Sequence, residues 1–288
     1  MFNLMSNGAA RATLAGAAGA VLIAATLPTP ALADRDAVRN GKSWSIQLQG
    51  DPKSLQKRNA DVAVVDPDEV KNPGKLKSTA NGGKRTVLAY ISIGESEEGR
   101  AYMKNGKGAW ATSESQGWSG NNKVRYWDPQ WKAIVKSRVK QAIDAGYDGV
   151  YLDRVDTYES MKAPGGSRQE MIKFVKEVAD TARAGKANAA VAVQNAEELL
   201  DDSGYVNTID AIGKEDLYHG INHDGRKNSD ESVRWSSKYL NKAKAKGKGV
   251  YVVEYVDGQT AQSVKAAARR DGFVASTGKR NLDTATED

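Results

Sequence analysis

The sequence has no cysteine. No disulfide can therefore brace the fold, no thiolate can act as nucleophile or zinc ligand, and no lipidated cysteine can anchor the chain. Histidine is nearly absent too. His219 and His223 are the only two, too few for a histidine-rich metal site. No loop shows the regular oxygen-ligand spacing of a calcium motif, so no metal and no other cofactor is expected. Long apolar runs are missing except near the amino terminus. That one, roughly residues 14–27, is rich in Ala and Gly and shorter than the about 20 strongly apolar residues that a membrane span needs. Arg11 precedes it, Pro28 and Pro30 break it, and Ala31-Leu32-Ala33 forms a small-x-small cleavage pattern. Residues 1–33 read as a signal peptide. The mature chain is then expected to be secreted or periplasmic, with no stable membrane anchor.

A strong charge of one sign is also lacking. The net charge is +6, and the lysines are scattered. The densest run, "NKAKAKGKG" at 241–249, reads as the solvated end of a helix. No recognised nucleic-acid motif accompanies the charge, so no nucleic acid is expected as partner. No internal repeat or second domain is visible, and the chain is read as a monomer. About 250 residues remain after the leader, a usual length for a single α/β barrel.

What the sequence does contain is a series of eight short apolar runs: "SWSIQLQ" (43–49), "DVAVVD" (61–66), "TVLAYISIG" (86–94), "DGVYLD" (148–153), "AAVAVQN" (189–195), "IDAIG" (209–213), "GVYVVEYV" (249–256) and "DGFVAS" (271–276). Most are continuously apolar rather than alternating, as strands covered on both faces are. Helical signals lie between them. Asp128 can cap a helix with Pro129 at its first position, and Gly146 can stop it. Ser167 and Glu170 match a capping box ahead of Met171, Phe174, Val175, Val178 and Ala182. Asn228 or Ser229 opens another helix, and residues 259–270 form one more. Eight strands alternating with helices predict a single (β/α)8 TIM barrel over residues 34–276, with irregular connections after strands 2 and 3. Residues 277–288 are expected to be a polar carboxyl-terminal tail, partly disordered.

In such barrels the site lies at the carboxyl ends of the strands. Six of the eight runs end in an acid or amide: Asp66, Glu95, Asp153 with Asp156 beyond it, Asn195 after Gln194, Glu215, and Glu254. Each alone reads equally well as a helix cap or solvated loop residue. Gathered on one rim they would repel one another unless they served a site. Several carboxylates and amides, with no cysteine and almost no histidine, suit glycoside hydrolysis. That reaction needs one carboxylic acid to protonate the leaving oxygen and a second carboxylate as nucleophile or base. Aromatic residues, which stack on sugar rings, crowd residues 90–131: Tyr90, Tyr102, Trp110, Trp118, Tyr126, Trp127 and Trp131. Trp131 belongs to the apolar face of its helix. Trp110 and Trp118 lie in a Gly/Ser/Asn-rich loop where burial is not expected.

"VLAYISIGESEEGRAY" (87–102), "VRYWDPQW" (124–131), "AGYDGVYLDRVDTYE" (145–159), and "QNAEELL" with "IDAIGKEDLYHG" (194–220) together resemble one family. It is the secreted endo-α-1,4-polygalactosaminidase-like barrels of glycoside hydrolase family 114 and their prokaryotic relatives. The resemblance runs through nearly the whole mature chain in the same order. It implies a retaining glycosidase acting on an oligosaccharide or polysaccharide with α-linked, galactosamine-containing units. It also implies an aspartate nucleophile after strand four and a glutamate acid/base after strand six, which here are Asp153 and Glu215. Asp66, Tyr90, Glu95, Trp127, Asp156, Asn195, Tyr218 and Glu254 are the candidate substrate-binding residues. Glu254 competes with Glu215 as the acid, and the Asp153-Arg154-Val155-Asp156 cluster reads alternatively as a structural ion pair. Two other readings stay open: a carbohydrate-binding barrel without turnover, and a basic envelope protein that holds anionic polymer through its lysines.

Overall fold

The computed structural model describes residues 33–104, 106–115 and 119–288. The expected signal peptide, apart from Ala33, lies outside them, as does Trp118. Each apolar run forms one strand: β1 Trp44–Gln47, β2 Val62–Val65, β3 Thr86–Ser92, β4 Gly149–Asp153, β5 Ala190–Gln194, β6 Ala211–Glu215, β7 Gly249–Glu254 and β8 Val274–Thr277. All eight stand in one sheet in chain order, with every neighbouring pair parallel. The architecture is the expected (β/α)8 barrel.

Alternation along each strand sorts the side chains into two cores. Trp44, Ile46, Val62, Val64, Leu88, Tyr90, Tyr151, Ala190, Ala192, Ala211, Tyr251 and Val253 meet inside the barrel. The residues between them, such as Val150, Leu152, Val191, Val193, Ile212, Val250 and Val252, face outward into the layer packed by helices. Trp44 holds the centre of the interior, with ring centroids 6.2 Å from Tyr151 and 5.4 Å from Tyr251. Such bulk needs a small residue opposite. At Gly213 a Cβ would stand 2.0 Å from the Tyr151 hydroxyl, so only glycine fits.

The main helices are α1 Ala33–Asn40, α2 Pro129–Asp144, α3 Ser167–Gly185, α4 Asp230–Ala245 and α5 Gly258–Asp271. Asp128 caps α2 by accepting from the N–H groups of Gln130 and Trp131, and Ser229 caps α4 by accepting from Ser232. The capping box at Ser167 and Glu170 does not form. Helix α3 begins at Ser167 itself, whose hydroxyl turns back to donate to the Met161 carbonyl. The apolar face expected for α3 is buried as read from the sequence. Helix α1 covers the amino-terminal end of the barrel, where the Tyr251 hydroxyl donates to the Val38 carbonyl.

The connections after β2 and β3 are irregular, as expected. The second carries a small antiparallel sheet of residues Glu95–Ser96, Ala111–Glu114 and Asn122–Val124. This sheet corrects the expectation for Trp110, which is buried. It folds back over α2, so the Trp110 ring lies 4.8 Å from Trp131 and 6.3 Å from Tyr102.

The tail is the second correction. Residues 277–288 were expected to be partly disordered, yet they fill the seam between β1 and β8. Thr286 N–H donates to the Ile46 carbonyl at 3.1 Å, and its hydroxyl accepts from Ile46 N–H at 3.0 Å. Thr277 and Glu287 exchange backbone bonds of 2.8 and 2.7 Å, while the Leu282 carbonyl accepts from Leu48 and Gln49. The segment is polar because it bonds through its backbone and hydroxyl rather than through an apolar face.

Candidate active site

A cleft of about 710 Å³ opens at the carboxyl ends of the strands. The alternation that builds the barrel interior also decides which strand-end residues enter it. Interior positions continue upward to Asp66 past β2, Tyr90 and Ser92 on β3, Asp153 on β4, Gln194 on β5, Glu215 on β6 and Tyr255 past β7, and all seven line the cleft. Asn195 and Glu254 fall on the outward positions.

Asp153 sits at its floor, only 8 % exposed. The Tyr90 hydroxyl donates to its Oδ2 at 2.6 Å, and the Arg154 backbone N–H donates to Oδ1 at 2.6 Å. Burial and, next, the negative charge of Glu215 push the Asp153 carboxyl up from 3.8 to about 7. Glu215 is held on two sides. Gln194 Nε2 donates to its Oε2 at 3.1 Å and the Tyr255 hydroxyl donates to its Oε1. Burial drives the phenols of Tyr90 and Tyr255 well above 10, so both stay protonated donors. Two acids thus line one cleft, each with a tyrosine donor.

The backbone turns sharply just past these acids. Arg154 and Asp216, the residues after Asp153 and Glu215, have φ of 59° and 55°, and Asn195 and Ala196 after β5 have 57°. Left-handed backbone at non-glycine residues costs about 1–3 kcal/mol and collects at functional sites. Here it follows three consecutive strands of one rim. Asn195 steadies the arrangement from outside, its Oδ1 accepting from Glu215 N–H at 3.1 Å and from Lys214 Nζ at 3.4 Å.

The other candidates from the sequence divide. Glu95 lines the cleft, 1 % exposed, and accepts from Arg154. Arg154 therefore bonds across to Glu95, although Asp156 also stands within its field. Burial raises the Asp156 carboxyl, with Arg154 opposing. Asp66 lines the cleft, but both its oxygens accept from Arg100, at 2.9 and 2.5 Å. Arg100 also holds Asp68 and Glu97, which ties the loop after β3 to the end of β2.

Neither Asp156 nor Asn195 lines the cleft, and three further candidates lie away from it as well. Trp127 packs edge-on against Tyr126, 5.0 Å between centroids. Tyr218 points its hydroxyl at Asp271, 2.8 Å away. Glu254 is fully buried, and its oxygens accept from the backbone N–H groups of Tyr218 and His219 at 2.7 and 3.0 Å. Burial raises its carboxyl to about 7, but it braces the loop after β6 rather than facing Asp153. Sequence reasoning passed over Ser92, Gln194 and Tyr255, which strand parity would have promoted, and Arg100 and Arg280, for which the sequence carries no local signal.

A family model described as glycoside-hydrolase family GH114 matches residues 26–287. An uncharacterized protein of Deinococcus radiodurans is 33% identical over 273 residues, covering 90% of this chain and 87% of that one. A second, from Methanocaldococcus jannaschii, is 34% identical over 238 residues, covering 75% of this chain and 67% of that one. Among solved structures, the glycoside hydrolase domain of PelA from Pseudomonas aeruginosa superposes with a TM-score of 0.71 at 18% identity, over 84% of this chain and 96% of that one. Aspergillus fumigatus Ega3, in complex with galactosamine, gives 0.64 at 20% identity, over 85% of this chain and 94% of that one.

Proposed function

The chain belongs to glycoside-hydrolase family GH114, and from that premise we propose that it is a retaining glycosidase that cleaves α-linked, galactosamine-containing polysaccharide through Asp153 and Glu215. The observation that carries the reading is that these two carboxyls, at the ends of β4 and β6, line one cleft, each bonded by a tyrosine hydroxyl. An Asp153 oxygen attacks the anomeric carbon while the glycosidic C–O bond breaks. Glu215 gives its proton to the departing oxygen. Glu215 then takes a proton from water, the water oxygen attacks the same carbon, and the ester bond to Asp153 breaks. The proton that Glu215 gives to the leaving oxygen is replaced by the one it takes from water, so the cycle returns both carboxyls to their starting state. Burial raises the Asp153 carboxyl, and positive charge developing at the anomeric carbon favours its ionised, attacking form.

The substrate class is what the resemblance to the family implies, and the charge of the cleft supports it. Among the described residues, eight acidic and five basic side chains line the cleft, although the chain as a whole is +6. Such a rim attracts a cationic amino sugar. The amino-terminal leader pattern supports export. Among the described residues no helix is long and apolar enough to cross a membrane.

The test is reducing-end release by the purified protein from α-1,4-linked galactosamine polymers, acetylated and deacetylated, and from neutral polysaccharides. Release that Asp153→Asn abolishes is the expected result. Release that survives in Asp153→Asn removes that residue from the chemistry, and binding without release moves the protein to the non-catalytic binding barrel. The raised Asp153 carboxyl favours one second reading, in which Asp153 is the acid and Glu215 the nucleophile. Azide separates the two. It rescues a nucleophile variant with inverted product and an acid/base variant with retained product, so inverted product from Glu215→Gln would exchange the roles.

A further inference from the structure

We infer that Arg280, from the segment that seals the barrel seam, is a positioning residue for Glu215 and acts on it through Tyr255. The inference rests on the catalytic reading of Glu215 above. Its guanidinium carbon lies over the Tyr255 ring, 4.2 Å from the centroid. Its two terminal nitrogens meet both oxygens of Asp216, at 2.9 and 3.1 Å, and one also reaches Asp224 at 2.6 Å. Tyr255 donates to Glu215, and Asp216 is the next residue after Glu215. One planar cation therefore clamps the acid from two directions: through the ring that bonds it and through the backbone that carries it.

The surroundings are shaped around this clamp. Asp216 adopts φ of 55° and anchors its N–H on the Val253 carbonyl at 3.0 Å. Gly220, at φ of 107°, leaves space where a Cβ would stand 2.4 Å from an Asp216 oxygen. Burial raises the Asp216 carboxyl and Arg280 opposes it. The arginine is fixed in turn by its own segment. Leu282 N–H donates to the Lys279 carbonyl, and Gln49 Nε2 donates to the Asn281 carbonyl at 2.9 Å. Closing the seam and aiming Glu215 are then tasks of the same segment.

A double-mutant cycle with Arg280→Ala and Tyr255→Phe tests the assignment. Each single variant is expected to lower kcat by roughly tenfold, with KM changed much less, because the loss falls on the proton-transfer step. The double variant is expected to be no slower than the worse single one, since both break the same chain. Arg280→Lys keeps a cation beside Asp216 but loses the two-nitrogen contact with it, and should recover only part of kcat. A second readout needs no substrate: the side-chain carboxyl 13C resonance of Glu215, assigned through Glu215→Gln. It should move in the same direction in Arg280→Ala and Tyr255→Phe. Fully additive losses, or an unmoved resonance, overturn the role of Arg280 and leave the glycosidase reading standing. A resonance that moves in a protein that hydrolyses nothing sinks the glycosidase reading and leaves the clamp.

Discussion

Strands β4 and β6 each carry an acid at both ends, and the two ends of the barrel treat them differently. At the amino-terminal end Asp148 meets Lys77 at 2.6 Å and Lys186 at 2.8 Å, and accepts from Val87 N–H. Asp210, fully buried, meets Arg35, Arg39 and Arg183 at 3.0, 2.7 and 3.1 Å, and accepts from Val191 N–H. At the other end Asp153 and Glu215 have tyrosine and amide donors and, among the described residues, no ion pair, and the charge of Glu215 adds to burial in raising the Asp153 carboxyl. The lower acids are neutralised by cations and hold the fold. The upper acids lack that neutralisation, and burial beside Glu215 holds the Asp153 carboxyl raised.

Substitution at the upper end is expected to break this contrast most strongly. Asp153→Asn and Glu215→Gln should each lower kcat/KM by about 10³-fold or more, measured by reducing-end release, without loss of the fold. The reverse holds at the lower end. Asp210→Asn strands three arginines, a change that costs about 3–5 kcal/mol when a buried pair loses one partner. Thermal unfolding should drop by on the order of 10 °C, with kcat per folded molecule unchanged.

The third prediction uses pH. In the folded state Asp153 binds its proton up to about pH 7, whereas the unfolded chain releases it near 3.8. Between those values the native state holds more protons, so stability falls as pH rises. Asp153→Asn removes that contribution. The variant should match the wild type in unfolding temperature below about pH 4 and exceed it above pH 7; an equal difference at both would contradict the raised value. The smallest effect belongs to Lys77→Ala. Lys77 is 37 % exposed and Asp148 keeps Lys186, so the change should cost about 1 kcal/mol or less by urea unfolding.

The barrel strands were legible because a strand covered on both faces must be apolar at every position, as "VLAYIS" and "GVYLD" are. The acids at the strand ends were legible as a group for the same reason: a charge that closes such a run stands out. Which of them enters the cleft was only half read. Glu254 and Glu215 both close an apolar run, but Glu254 follows inward Val253 and so points outward, whereas Glu215 follows inward Gly213 by two. Parity separates them, and continuous apolarity hides parity. The tail had no such signal. Its order comes from Thr286 and Leu282 bonding to a strand some 240 positions away, and no local pattern records a partner at that distance. Trp110 was misjudged similarly, since a Gly-rich loop looks exposed until the helix it covers is known.

The seam between β1 and β8 has a consequence for the order of folding. Ser45 and Thr286 are 241 positions apart and bonded to each other. Contacts of that span form only after the chain between them has lost most of its freedom. A chain emerging from its amino terminus can therefore assemble seven strands and still lack the last stave, so closure of the cylinder waits for residue 286. Until then the edge of β1 stays open to pairing with other chains, the period in which such intermediates are most prone to aggregate.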